Sequence, residues 1–238
     1  MTKLINATDR HFTSAGWLNS YFLFSFADYY DPQNMQFGPL RVFNDDTVSA
    51  RSGFPQHSHS DMEIITIVLK GEIAHEDSLG NKTTISAGEV QRMSAGTGIV
   101  HSEKNNADEE VHLYQLWFIP NKQNLNPSYE QKIVDFLDTK NELVPLVSGQ
   151  KVLEDVVFMN SNSTIYYGNL KEDKEINFQT FNIRKTFIYI TAGELLVNGV
   201  LAETNDQLRI DDTKLVQIKA AQDTQFILID LPAVEANY

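Results

Sequence analysis

The chain has 238 residues, with 19 Lys and Arg against 32 Asp and Glu for a formal charge of −13, and it has no cysteine. The missing thiols exclude a disulfide scaffold and a zinc–thiolate site, and the acidic balance works against direct binding to nucleic acid or to an anionic membrane surface. No stretch approaches the roughly 18 apolar residues of a membrane span, and the opening MTKLINATDRHFTSAG has no signal-like apolar core, so a cytoplasmic monomer acting on a small molecule is expected.

Residues 1–20 carry no clear period and are expected to form an irregular lead-in, with His11 in a packing role. Tyr21 to Tyr30 is dense in aromatic residues and suits a strand, and Leu40 to Phe43 a short one between turns at Gly38-Pro39 and Asn44-Asp45-Asp46. The run Met62 to Leu69 is too apolar for a half-exposed strand and too short for a buried helix, which predicts a strand covered on both faces. Return strands follow at Glu72–Glu76, Lys82–Ile85, Glu89–Met93, Ile99–Glu103 and Val111–Ile119, separated by glycine-rich turns. Short antiparallel strands at this spacing predict a β-barrel or jelly roll.

Residues 121–150 are more polar, and Tyr129, Ile133, Val134 and Leu137 fall at near-helical spacing, so Ser128–Leu137 is expected to be a helical connector. Strand signals resume from Val156. Ile67 to Glu72 is echoed by Ile188 to Glu194, and each half ends in an apolar strand and a proline, at Pro120 and Pro232. The expected organisation is a first barrel over 1–120, the connector over 121–150, and a second barrel over 151–238. Counting back from Gly193 puts Gln179 and Phe181 where His57 and His59 stand in the first half, and no histidine follows His112. The second barrel is therefore expected to be metal-free and to cover or brace the first.

Two pairs in the first half have the chemistry of a metal site. His57 and His59 are two residues apart, as are His101 and Glu103. In a strand, residues i and i+2 point to one face, about 6–7 Å apart, so each pair can aim both side chains into one interior. Three imidazoles and a carboxylate suit a first-row divalent ion. Glu63 competes for the carboxylate position if one strand runs unbroken from His57. His75 is read as a core or surface histidine, His112 as structural, and Asp108-Glu109-Glu110 as a solvated loop. If Arg92 points to a cavity mouth, it would favour a substrate with an anionic or strongly polar rim.

The stretches GFPQHSHSDMEIITIVLKGEIAHEDSLGN and AGEVQRMSAGTGIVHSE, with the upstream FADYYDPQNMQFGPLRVFNDD, resemble the pirins of the cupin superfamily. The likeness is dense over residues 20–120 and mostly topological beyond 150. It implies an all-β bicupin of two tandem antiparallel cupin (jelly-roll) barrels, with one divalent ion held in the first by His57, His59, His101 and Glu103. Iron(II) is foremost, with manganese, nickel, copper, cobalt and zinc as alternatives. The resemblance favours Glu103 over Glu63 as ligand, leaving Glu63 to orient an imidazole.

Some pirins resemble quercetin 2,3-dioxygenases in activity, while nuclear members act as transcription cofactors through protein partners. The expectation is a metal-dependent dioxygenase on a flavonol-like or other enolic aromatic molecule, with Glu103 as general base. A non-enzymatic, iron-binding, redox-sensitive regulator acting through a protein partner is the alternative. Ser58, Ser60-Asp61-Met62 and Arg92 depart from the usual pirin residues, which leaves the ligands in place and changes what surrounds them.

Overall fold

The computed structural model describes residues 1–134, 136–150, 153, 155–181 and 183–233. It is built almost wholly of strands. In chain order, β1 is Thr2–Ile5, β2 His11–Ser14, β3 Leu18–Phe22, β4 Leu40–Val48, β5 Gly53–His59, β6 Glu63–Lys70 and β7 Glu72–Asp77. Then come β8 Lys82–Ser86, β9 Glu89–Ser94, β10 Ile99–Lys104, β11 Val111–Phe118, β12 Ser128–Ile133, β13 Glu142–Ser148 and β14 Val157–Phe158. The rest are β15 Thr164–Leu170, β16 Glu175–Gln179, β17 Arg184–Ala192, β18 Glu194–Val197, β19 Val200–Glu203, β20 Gln207–Ile210, β21 Leu215–Ala220 and β22 Thr224–Pro232. A 3-10 turn at Ala7–Asp9 is the only helical element among the described residues.

The chain divides into two compact units, one of His11–Asp135 with Asp155–Ser161, the other mainly of Met1–Arg10, Phe136–Glu154 and Asn162–Glu235. In the first, a seven-stranded sheet ordered β12-β9-β6-β11-β4-β3-β2 goes with a four-stranded sheet ordered β5-β10-β7-β8. The second has the corresponding plan, with β1-β20-β17-β22-β15-β13 in one sheet and β16-β21-β18-β19 in the other. All of these pairings are antiparallel.

Strand β6 is buried from Glu63 through Val68, as its apolar run predicts. Its buried side chains enter two clusters at different points along the strand: Val68 packs with Val48, Ile73, Ile85, Val111 and Leu113, and Ile64 with Met93, Ala95 and Ile99. Each such aliphatic side chain contributes about 1.5–3 kcal/mol on burial. These clusters fix the two sheets whose facing sides carry the polar residues described below.

Three expectations do not hold. The lead-in is not irregular: β1 joins β20 of the second unit by the register Thr2↔Ile210 to Ile5↔Gln207, and β2 and β3 form a hairpin. The aromatic strand stops at Phe22, and Phe26↔Tyr29 is an isolated bridge in a turn with Ala27 at φ 50°. The helical connector is absent over its described residues. Ser128–Ile133 is strand β12, paired with β9 from Ser128↔Ser94 to Ile133↔Glu89, and Glu142–Ser148 is strand β13. A four-residue helical spacing is a weak local preference, and β9 without β12 would leave a row of unpaired backbone groups on its outer edge.

Candidate metal centre

The site forms on the four-stranded sheet, where β10 lies between β5 and β7. His101 pairs with His57 across β10–β5, and Glu103 with His75 across β10–β7. The β10 alternation buries Ile99, His101 and Glu103 and leaves Val100 and Lys104 exposed. Between His101 and Glu103 the register slips by a bulge. A Cβ at Gly53 would stand 2.2 Å from the Glu103 carbonyl oxygen, so the glycine is what lets β5 run this close to β10.

The ligand atoms of His57, His59 and His101 lie within 4.8 Å of one another, and their ring centroids are 4.4–5.0 Å apart. A second group with the same spacing is His75, His101 and Glu103. Glu103 thus reaches the histidine cluster through His101, with His75 as an added neighbour. His57 Nδ1 lies 2.8 Å from the Pro55 carbonyl oxygen and donates to it, which leaves Nε2 with its lone pair free. His101 is 2 % exposed, and neither of its ring nitrogens has a hydrogen-bond partner.

Burial, reinforced by neighbouring imidazoles, lowers His101 to about 3, and burial with His57 nearby lowers His59 to about 4. Both rings are neutral near pH 7, the form a metal needs. Orphaned nitrogens, neutral rings and a buried carboxylate fit a divalent ion of the imidazole–carboxylate class.

Glu103 is fixed from the other sheet. Gln115 Nε2 donates to Glu103 Oε2 at 2.9 Å, and Trp117 Nε1 donates to Gln115 Oε1 at 3.1 Å. Burial pushes the Glu103 carboxyl up, against the lowering effects of His75, the Gln115 bond and His57. His75 is 2 % exposed, its Nε2 is 3.0 Å from Asp77 Oδ2, and its Nδ1 has no partner. Burial works upward on Asp77, but bonds from Asn81, His75 and the Asn81 and Leu79 backbone hold its carboxyl below the usual range.

The remaining candidates are placed elsewhere. Glu63 is buried, with Oε2 accepting from Ser94 Oγ at 3.0 Å and Asn160 N at 2.9 Å, and it belongs to neither histidine group. Strand continuity fails at Asp61, whose φ is 49°. Arg92 does not reach a cavity mouth. It is 5 % exposed and donates to Phe158 O, Ser94 Oγ, Ser128 Oγ and Glu130 Oε2, so it gives no polar rim to a substrate. His112 pairs with Asp45 at 2.7 Å, and His11 stacks on Tyr29 with centroids 4.4 Å apart.

A cavity of about 400 Å³ adjoins the cluster, lined by His57, His59 and Glu103 on one side and by residues of β3, β4 and β11 on the other. Phe22, Phe26, Phe54 and Trp117 make most of its wall apolar. Trp117 stands edge-on to His59 at 4.7 Å. Ser20, Asn44, Asp46 and Gln115 are the buried polar exceptions. Sequence reasoning passed over them and took Asn44–Asp46 for a turn. The signal was there in the two-residue alternation of Val42, Asn44, Asp46 and Val48, all of which are buried.

Comparison with known proteins agrees with this architecture. The Pirin family model matches residues 5–118, and the model described as the quercetinase C-terminal cupin domain matches residues 146–231. A protein named quercetin 2,3-dioxygenase from Escherichia coli K12 is 41 % identical over 235 residues, covering 98 % of this chain and all of the relative. The chain belongs to the pirin family. A pirin-like protein from Caulobacter vibrioides is 39 % identical over 90 % of this chain and 93 % of its own. The crystal structure of the bacterial pirin YhhW from Escherichia coli, in complex with nickel(II), superposes with a TM-score of 0.93 at 40 % identity, covering 98 % of this pirin and all of that chain.

Proposed function

We propose that this pirin is a metal-dependent dioxygenase whose substrate is a flavonol-like or other enolic aromatic molecule. The observation that carries the reading is the apolar-walled cavity that meets His57, His59 and Glu103. Its volume of about 400 Å³ lies within the range of small-molecule sites, whereas a regulator that senses metal through a protein partner needs no such space beside the ion.

His57, His59, His101 and Glu103 would hold the ion, with iron(II) the first candidate. When bound, it supplies Lewis acidity and one-electron chemistry toward dioxygen. The chain's own residues do the rest. Phe22, Phe26, Phe54 and Trp117 offer faces and edges for a planar ring and keep water from it. The Gln115 bond holds Glu103 in one orientation. Glu103, raised by burial, accepts the proton of an enolic hydroxyl at its carboxylate oxygen more readily than a solvated carboxylate would.

The test is oxygen uptake with quercetin by protein purified anaerobically and loaded separately with iron, manganese, nickel or copper. Uptake in stoichiometric ratio with substrate loss supports the reading. Binding without uptake in all four forms would transfer the case to the regulator.

A further inference from the structure

The cavity has a polar strip that the candidate metal centre does not use. It lies on the seven-stranded sheet, where β4 sits between β3 and β11. The register sets Asp46 directly opposite Ser20 and Asn44 directly opposite Gln115. All four line the cavity and are at most 8 % exposed.

Their hydrogen bonds are unevenly spent. Both ends of the Gln115 amide are committed, to Glu103 and Trp117. Ser20 Oγ donates to Asp46 Oδ1, so its only proton is used on the carboxyl. Asn44 Oδ1 is buried without any partner. Burying an acceptor unpaired is costly, and native interiors rarely tolerate it without a reason. The strip therefore presents the Asp46 carboxyl and the Asn44 amide at the cavity wall, groups that can accept from a hydroxyl and, through Asn44 Nδ2, donate to its oxygen. Burial, partly offset by Ser20 and reinforced by Asp45 and Glu103, also pushes the Asp46 carboxyl up to about 7, a further cost kept at a wall that meets ligand.

We infer that Asn44 and Asp46, with Ser20 orienting the carboxyl, form a donor-recognition subsite that takes a phenolic hydroxyl on the far ring of an aromatic ligand. This inference rests on the proposed reading that the ligand is an enolic aromatic. Neighbouring strands are about 4.8 Å apart and i,i+2 positions about 6–7 Å apart. A two-ring molecule with its enolic oxygen beside Glu103 is long enough to lay its second ring along Asn44 and Asp46. The subsite selects for hydroxyls there and against a carboxylate, whose charge would face Asp46.

The experiment compares quercetin, hydroxylated on its pendant ring, with galangin, which has the same core and a bare pendant ring. Binding is followed by quenching of tryptophan fluorescence, Trp117 being in the cavity wall, with oxygen excluded so that nothing turns over. Wild-type protein is expected to bind quercetin at least about tenfold tighter than galangin. Asp46→Leu and Asn44→Leu are each expected to weaken quercetin severalfold while leaving galangin within about twofold. If Asp46→Leu does not fold, Asn44→Leu gives the same reading.

A wild-type preference below about twofold, a preference that survives in the variants, or no quenching by either flavonol overturns the subsite. Because binding is read without turnover, a failure of oxygen uptake strikes the dioxygenase reading alone, and an active enzyme with an unchanged preference strikes the subsite alone.

Discussion

Gln115 Nε2 donates to Glu103 Oε2 at 2.9 Å from the opposite sheet, and Gln115 is itself held by Trp117. The carboxylate that completes the candidate ligand set is thus oriented by a residue of the cavity wall. Removing that bond leaves Glu103 in place but free to rotate. Gln115→Leu is expected to lower metal affinity about 10- to 100-fold, measured by competition with a chromophoric chelator. Affinity equal to wild type would show that Gln115 serves packing alone.

The histidine cluster makes a stronger demand. With His57 and His101 both changed to alanine, two of the three mutually close imidazoles are gone, and the protein is expected to carry less than about a tenth of the wild-type metal after dialysis. Mass spectrometry of the metal content checks this, with a thermal melt to show that the variant folds. Full metal content in the double variant would remove these residues from the site.

The pH dependence follows from the directions of the shifts. His59 and His101 are lowered to about 4 and about 3, below the ordinary histidine value near 6.5. In the folded, metal-free protein, protons compete with the metal at these two nitrogens only below about pH 4. On unfolding, both rings regain their ordinary pKa and take up protons, so metal-free stability falls as pH drops from about 6.5 toward 4. Metal is expected to stay bound at pH 5.5, and the change in metal-free stability between pH 7 and 5 should be read as the difference between wild type and His101→Phe, with wild type losing more toward pH 5, because Asp46 acts in the opposite direction over the same range. Loss of most of the metal between pH 7 and 6 would contradict the shifts.

Asp46 has the opposite sign. Its folded carboxyl is raised to about 7 against about 3.9 when unfolded, so the unfolded chain gives up its proton first. Stability is lost as pH rises from about 4 to about 7 and stays lost above that. Asp46→Asn keeps the shape without the charge. It is expected to stabilise the protein by about 1–4 kcal/mol at pH 8 and to be near neutral at pH 4, as read from urea unfolding at the two values. Equal stability changes at both values would show that Asp46 is not held as an uncomfortable buried charge.

The sequence disclosed what depends on local period and hid what depends on which strands meet. Strand β6 was legible because its run of apolar residues admits few other structures. The pairs His57/His59 and His101/Glu103 were legible because strand geometry alone puts i and i+2 on one face. Glu63 could not be decided, since it required knowing that Asp61 turns the chain and starts a strand in the other sheet. The burial of His75 arises from Glu103↔His75, a pairing between strands 28 residues apart. The direction of Arg92 was open for the same reason: its partners Ser128, Glu130 and Phe158 arrive from strands β12 and β14. The connector failed because an unpaired edge on β9 outweighed a weak helical pattern.

The last prediction separates holding the metal from doing chemistry. Glu103 is 2 % exposed, and its carboxyl is pushed up by burial. Glu103→Gln keeps the side-chain length and one oxygen, so His57, His59 and His101 should still retain a large part of the ion. An amide cannot accept a proton from an enolic hydroxyl, and losing a general base typically costs 10²–10⁴-fold in rate. Oxygen uptake with quercetin is therefore expected to fall at least about 100-fold, while metal content falls by no more than about half. Metal content by mass spectrometry and oxygen uptake should be read on the same preparation. If uptake per bound metal is unchanged, Glu103 acts only as a ligand, and proton transfer in the dioxygenase reading must be assigned to another group.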